Sequence, residues 1–137
     1  MSDYYEVRWA QRFQNFERAF LLLQQTVNMP SLSVIERAGM IQFFEMSFEL
    51  AWKVLKDYQE LEGFIIKSPR DAIKQAFQYQ LIEEGGLWLE ALKDRNLTVH
   101  TYQEQTAKEI EEKIKQQYYP LLRDLHQTFN IKLADLK

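Results

Sequence analysis

The sequence predicts an all-α fold: an up-and-down bundle of four to five helices, homodimeric, built as one domain over residues 1–137. Three observations carry the all-α part of this expectation. Apolar residues recur at steps of three and four over most of the chain, no stretch alternates with the period of two that a half-buried strand requires, and four Gly and three Pro leave few places to break a helix. At 46% hydrophobic and 14% aromatic, 137 residues suffice for one core.

Trp9, Phe13, Phe16, Phe20, Leu23 and Val27 alternate in steps of four and three, so at ~100° per residue they form one narrow stripe of a long first helix. Pro30 and Ser31 end it. Ser33 followed by Glu36 has capping-box spacing, and the second helix is expected to run from there to a stop at Gly63.

That second helix differs in kind. From residue 40 to 55, eleven of sixteen residues are apolar, spread over an arc of ~240° that leaves Gln42, Glu45, Glu49 and Lys53 as a thin polar stripe. Such an arc fits a helix at the centre of the bundle, or one whose second face (Met40, Phe43, Met46, Leu50, Val54) is covered by another subunit. The second arrangement, a homodimer, is the expectation adopted. In the polar stripe, Glu49 and Lys53 are spaced for an i,i+4 ion pair.

Ser68-Pro69 supplies an N-cap and a proline at the first helical position, with Asp71 near the positive dipole end, so a short third helix is expected over residues 69–79. Glu84-Gly85-Gly86 breaks the chain, and a fourth helix runs from about Leu87 to the Arg95 region. Thr101 followed by Glu104 is a second capping-box signal. It opens a last long helix in which Ala107, Ile110, Ile114, Tyr118, Leu121 and Leu125 share a face, kinked near Gln116 by Pro120.

Composition excludes several functions. A net charge of -3 lacks the basic footprint of a protein that coats duplex DNA, although Lys93, Arg95 and His100 lie close in sequence, with Lys67, Arg70 and Lys74 upstream. There is no cysteine for a disulfide or thiolate metal site, and no run approaches the ~20 apolar residues of a membrane span. No secretory leader is recognisable at the start, and a cytoplasmic protein without membrane contact is expected. His, Asp and Glu show no metal-ligand spacing, Gly85-Gly86 lacks the ending of a P-loop, and His126 reads as a surface or groove residue; no metal and no cofactor are expected. Trp9, Trp52 and Trp88 sit at helical spacing as core residues.

The chemistry concentrates in Arg95-Asn96-Leu97-Thr98-Val99-His100-Thr101-Tyr102. Arginine offers a planar donor fork matched to phosphate oxygens, and histidine exchanges a proton near neutrality. In one continuous helix Arg95 and His100 would be ~140° apart, but a helix boundary between them lifts that restriction. The entrance of the last helix then presents unpaired N–H groups to an anion. Metal-free phosphodiester cleavage needs a base for the attacking hydroxyl, an acid for the leaving oxygen and a cation for the phosphorane. His100 suits the proton transfers and Arg95 the charge, and a dimer with both motifs at its axis supplies two histidines. The plain alternative is that His100 caps a helix while Arg95 pairs with Asp94 or a nearby carboxylate.

The same octapeptide resembles the Arg-X4-His-X-Tyr motif of the HEPN superfamily, in the branch of nucleotidyltransferase substrate-binding proteins and HepT-like toxins. The likeness extends through Arg8-Trp9-Ala10-Gln11-Arg12-Phe13, Ile41-Gln42-Phe43-Phe44-Glu45, Phe48-Glu49-Leu50-Ala51-Trp52-Lys53, Ser68-Pro69-Arg70-Asp71, Leu81-Ile82-Glu83 and Trp88. It implies a homodimer with a composite site at the interface, Arg95, Asn96 and His100 as catalytic residues, and a separate minimal nucleotidyltransferase as partner. It further implies AMP transfer to Tyr102, which adds charge where the substrate phosphate would sit. Lys93, Thr98 and Arg70 are the accompanying candidates for substrate binding, with RNA as substrate. The sequence departs from the family at Gln80, where many relatives have a turn glycine, and at Gly85-Gly86. Glu45 and Glu49, which the family pattern retains, stay open for a role near the subunit interface.

The resulting expectation is a metal-independent ribonuclease toxin silenced at Tyr102. The alternative is a non-catalytic subunit that presents a nucleotide or other substrate to the nucleotidyltransferase. A purely structural adaptor is the third reading. The chain lacks the Gly-Ser pair and paired carboxylates of a nucleotidyltransferase and does not transfer nucleotides by itself.

Overall fold

The computed structural model describes residues 2–95 and 103–136, with side chains from residue 7 onward. The elements are α1 (Ser2–Val27), α2 (Val34–Leu61), α3 (Pro69–Gln78), α4 (Gly85–Asp94), α5 (Glu104–Lys113) and α6 (Tyr119–Asp135). A π-helical segment, Ile114–Tyr118, joins α5 to α6, so these three form one rod and the described residues build a five-helix bundle. Among the described residues there is no strand, as the all-α expectation requires.

Three long rods carry the core. Arg8 and Arg12, near the start of α1, reach Glu60 and Asp57 near the end of α2, which makes the pair antiparallel. Trp9 meets Phe129 and Phe20 meets Tyr119 at ring-centroid distances of 5.6 and 5.5 Å, so α6 is antiparallel to α1 as well. The α1 stripe is buried from Trp9 to Leu23, each residue at 1% exposure or less, and Val27 is half-buried at its end. Asp57 is fully buried; Arg12 Nε at 3.0 Å and Arg8 at 3.2 Å supply the charge that its burial demands.

The wide apolar arc of α2 has a mixed explanation. Met40 and Val54, assigned above to a second face, are fully buried in the chain's own core. Phe43 and Leu50 are half-buried and Met46 is 43% exposed, so only the middle of that face looks outward. The difference arises because α2 is wedged between α1 and the last rod, with α3 and α4 also against it, and these neighbours take more of its circumference than one layer would.

The expected punctuation is present and more specific than the residue types alone indicate. Ser33 and Glu36 form a full capping box, at 3.1 and 2.9 Å. After α2, Gly63 adopts φ 96, while its N–H donates to Glu60 O and Phe64 N–H to Gln59 O, which is a Schellman closure. Ser68 caps α3 through the Asp71 N–H at 3.0 Å; α3 ends at Gln78, one residue before the expected Tyr79. The same Schellman pattern then recurs with Gln80 at φ 61 in the glycine position, donating to Phe77 O while Leu81 N–H donates to Ala76 O.

Pro120 acts where expected, but by register rather than by a simple break. It cannot donate to the Gln116 carbonyl, and the preceding turn widens so that Tyr119 N–H reaches Ile114 O. The apolar face nevertheless stays continuous: Ala107, Ile114, Tyr118, Leu121 and Leu125 are buried.

Candidate functional site

The site begins at the exit of α4, where two successive side chains are tied to different rods. Asp94 faces the last rod: Lys113 Nζ donates to its Oδ2 at 3.0 Å and the Tyr118 hydroxyl donates to the same oxygen. Lys113 also reaches Glu90 at 3.3 Å. Arg95 faces α2, and its Nη1 donates to Glu49 Oε2. Two anchors at adjacent positions fix both the place and the rotation of the helix end.

Electrostatics reinforce this clamp. Burial, then the hydrogen bond to Asp94, pushes the Tyr118 phenol above its ordinary range, so it stays a protonated donor. The Lys113 ammonium is held above its ordinary value by its hydrogen bond to Asp94, against a smaller opposing effect of burial. The Arg95 and Glu49 side chains keep 22% and 40% of their surface, so their pair lies at the wet edge of the bundle and is open to a competing anion.

Several expectations are corrected here. Glu49 pairs with Arg95 across helices rather than with Lys53 along its own, and the Lys53 ammonium lies 5.8 Å from the Trp52 ring centroid. Of the two partners the plain alternative offered Arg95, Asp94 is engaged by Tyr118 and Lys113 instead, and the other, a nearby carboxylate, is Glu49. The last rod opens with Gln103 at the N-cap and no side-chain capping bond there, two residues later than the Thr101–Glu104 box predicted. His126, by contrast, lies where expected, half-buried in the groove between α1 and α6: its Nε2 stands 2.8 Å from Glu17 Oε2 and its ring stacks on Phe20 at 4.7 Å.

Of the predicted site residues, Arg95, Lys93 and Arg70 are described, while Asn96, Thr98, His100 and Tyr102 lie outside the described residues. Lys93 is exposed on α4, two positions and hence ~200° around the helix from Arg95. Arg70 is exposed on the first turn of α3, on a separate element. Among the described residues no group of three or more His, Cys, Asp or Glu is arranged to hold a metal ion, and no helix is long and apolar enough to cross a membrane.

Sequence reasoning missed the cross-helix partners. Arg37, buried under α5, bonds Glu111 at 2.6 Å, and Lys115 holds the other Glu111 oxygen at 2.8 Å. Burial by itself would raise the Glu111 carboxyl; the hydrogen bonds and charges of Lys115 and Arg37 outweigh it and leave the group below its ordinary value. A pocket of about 340 Å³ lies between the α3–α4 turn and α6, floored by Ile82, Trp88, Leu121 and Leu125, and it includes none of the predicted site residues.

Residues 11–131 match the family described as nucleotidyltransferase substrate binding protein like. A crystal structure of a protein from Thermus thermophilus shares the fold with a TM-score of 0.70 and 34% sequence identity, covering 89% of this chain and 98% of that chain. No curated protein matches.

Proposed function

Because the chain belongs to the nucleotidyltransferase substrate binding protein like family, we propose that it is the substrate-holding subunit of a two-chain nucleotidyltransferase whose transfer chemistry resides in a separate small partner. The observation that carries this reading is the family match across residues 11–131, a span that includes Glu49, the α4 exit and the whole octapeptide from Arg95 to Tyr102. An arginine held at a wet edge by a carboxylate suits a subunit that receives a phosphate-bearing ligand, since the ligand's oxygens can replace those of Glu49 on the same donor fork. Coexpression with a minimal nucleotidyltransferase is expected to yield a complex that survives gel filtration. Independent elution of the two chains at micromolar concentration overturns the reading.

A second reading has its own observation. Arg95 is fixed at the last turn of α4, directly before the segment that carries Asn96, His100 and Tyr102, so a guanidinium is already positioned where that segment begins. In this reading, which the HEPN resemblance supports, two chains pair so that both motifs face one cleft. One His100 takes the 2′-hydroxyl proton while the oxygen attacks the adjacent phosphorus, and the other gives a proton to the departing 5′-oxygen. Arg95 neutralises the phosphorane, Asn96 adds a polar contact, and AMP on Tyr102 closes the site. RNA incubated with the purified chain and excess chelator should then yield 2′,3′-cyclic phosphate ends, and His100→Ala should lower the rate at least ~10²-fold. Cleavage that needs added metal, or that survives the substitution, removes this reading and leaves the first.

A further inference from the structure

The outward face of α3 is unlike the rest of the surface. Its inward residues Ala72, Ile73 and Ala76 are fully buried, which commits the helix to one orientation. Arg70, Lys74 and Phe77, at positions i, i+4 and i+7, therefore form a single outer ridge, with Lys67 just before the helix and Tyr79 just after it. All three cations are exposed, and among the described residues none of them has an ion-pair partner, although nine other Lys and Arg residues do. The one acid within this stretch, Asp71, accepts from the Lys67 backbone N–H at 3.0 Å and so is turned to the helix cap.

Two aromatic rings accompany the cations. Phe77 is 53% exposed and Tyr79 58%. The Phe77 ring rests on Gly85: a Cβ at that position would stand 2.7 Å from its Cγ, so the bare glycine makes the seat on which this ring lies. Tyr79 is propped on Phe64 at 4.8 Å between centroids. A merely solvated basic face has no use for half-exposed rings held in place, and an apolar contact surface has no use for three cations without countercharges. The combination is what a single strand of nucleic acid requires: cations that follow its phosphates and flat faces on which its bases stack without regard to sequence. Arg70 and Lys74 are ~6 Å apart along the helix axis, a step on the scale of one nucleotide of an extended strand. A duplex fits poorly, since the ridge is short and the chain's net charge is -3.

We propose that Lys67, Arg70, Lys74, Phe77 and Tyr79 form a binding surface for single-stranded RNA, with phosphates on the three cations and a base stacked on Phe77. The inference rests on the reading that this chain holds a substrate, and it names that substrate's class; whether the strand is then cleaved or presented to a partner is a separate matter.

Fluorescence anisotropy of the full chain with a labelled, uncleavable 2′-O-methyl oligouridylate tests it. Three phosphate contacts predict that log K falls with log salt at a slope of about -2. Arg70→Glu with Lys74→Glu should weaken binding at least ~10-fold and flatten that slope. Phe77→Leu, which keeps an apolar group over Gly85 but removes the aromatic face, should weaken binding ~5-fold or more with the slope unchanged. Arg18→Glu, half that charge change placed on α1, should have no more than ~2-fold effect. No binding, equal losses from Arg18→Glu, or an unaffected Phe77→Leu overturns the proposal. So does a polyglutamate peptide that binds this face while the oligonucleotide does not, which would assign the ridge to an acidic protein partner. Cleavage and partner association are read separately, with an unmodified oligouridylate and with a coexpressed minimal nucleotidyltransferase, so failure of either reading of the preceding subsection leaves this proposal to be decided by the anisotropy alone.

Discussion

Gln80 carries a backbone conformation that its own side chain disfavours. At φ 61 it fills the left-handed position of the Schellman closure of α3, where glycine has no Cβ to crowd the following carbonyl. A turn near Gln80 was legible in the sequence; that Gln80 itself is a strained C′ residue needed the hydrogen bonds to Phe77 and Ala76. Gln80→Gly removes a penalty of ~1–2 kcal/mol in the folded state and adds ~0.5–1 kcal/mol of unfolded-chain entropy to be lost. A net gain of ~0.5–1 kcal/mol is expected, read as a higher urea midpoint at unchanged m-value. An equal or lower midpoint would show that the Gln80 side chain makes up for its backbone. Glu49 illustrates the opposite limit of sequence reasoning. Its i,i+4 neighbour Lys53 is visible in any helical reading, whereas its actual partner lies 46 residues away, a separation that no local periodicity encodes.

At the scale of elements, the helices and their inner faces were largely readable because each rests on a short-range rule. The α1 stripe, the Ser33 and Ser68 caps, the Gly63 stop and the disturbance before Pro120 all depend on residues within one or two turns of each other. What joins the elements was not readable. Arg37 and Glu111, which bolt α5 to α2, are 74 residues apart, and α5 opens at Glu104 with Gln103 as its N-cap, a start that the Thr101–Glu104 spacing does not give. The bolt has a pH signature. The folded-state carboxyl of Glu111 titrates below its ordinary value of 4.5, so its contribution is fully present above that value and is lost as pH falls through the folded-state value. Glu111→Gln leaves the Arg37 guanidinium, with only 11% of its side chain exposed, without a countercharge, and should cost ~2 kcal/mol at neutral pH. Urea unfolding of both proteins across pH should show that difference constant above about pH 5 and shrinking below 4.5. A difference that persists undiminished into acid would mean that packing, not charge, holds α5 in place.

For the whole molecule, the apolar arc of α2 is only partly explained by one chain. Met40 and Val54 belong to the internal core, which reduces the face available to a partner to Phe43, Met46, Leu50 and their surroundings. That face lies on the same helix as Glu45 and Glu49, so a second chain seated there would come close to the Arg95 pair. This juxtaposition is what the two-histidine chemistry of the second functional reading requires, and it ties oligomeric state to function. An interface of ordinary size covers ~800 Å² per protomer, about a tenth of the 8054 Å² surface of this chain, and needs an apolar centre. Met46, 43% exposed in the single chain, is the side chain best placed to provide it. The expected result is a dimer in sedimentation at micromolar concentration, with a melting temperature that rises with protein concentration because association favours the folded state by mass action. Met46→Glu places a charge at that centre without removing a core side chain. It should give a monomer whose melting temperature no longer depends on concentration, with helix content unchanged. If the unmodified chain already sediments as a monomer, the α2 face is not a self-association surface and a composite two-histidine site is lost with it. If Met46→Glu remains dimeric, the chains join through some other surface, and the Arg95 pair then owes its partial exposure to the single-chain fold alone.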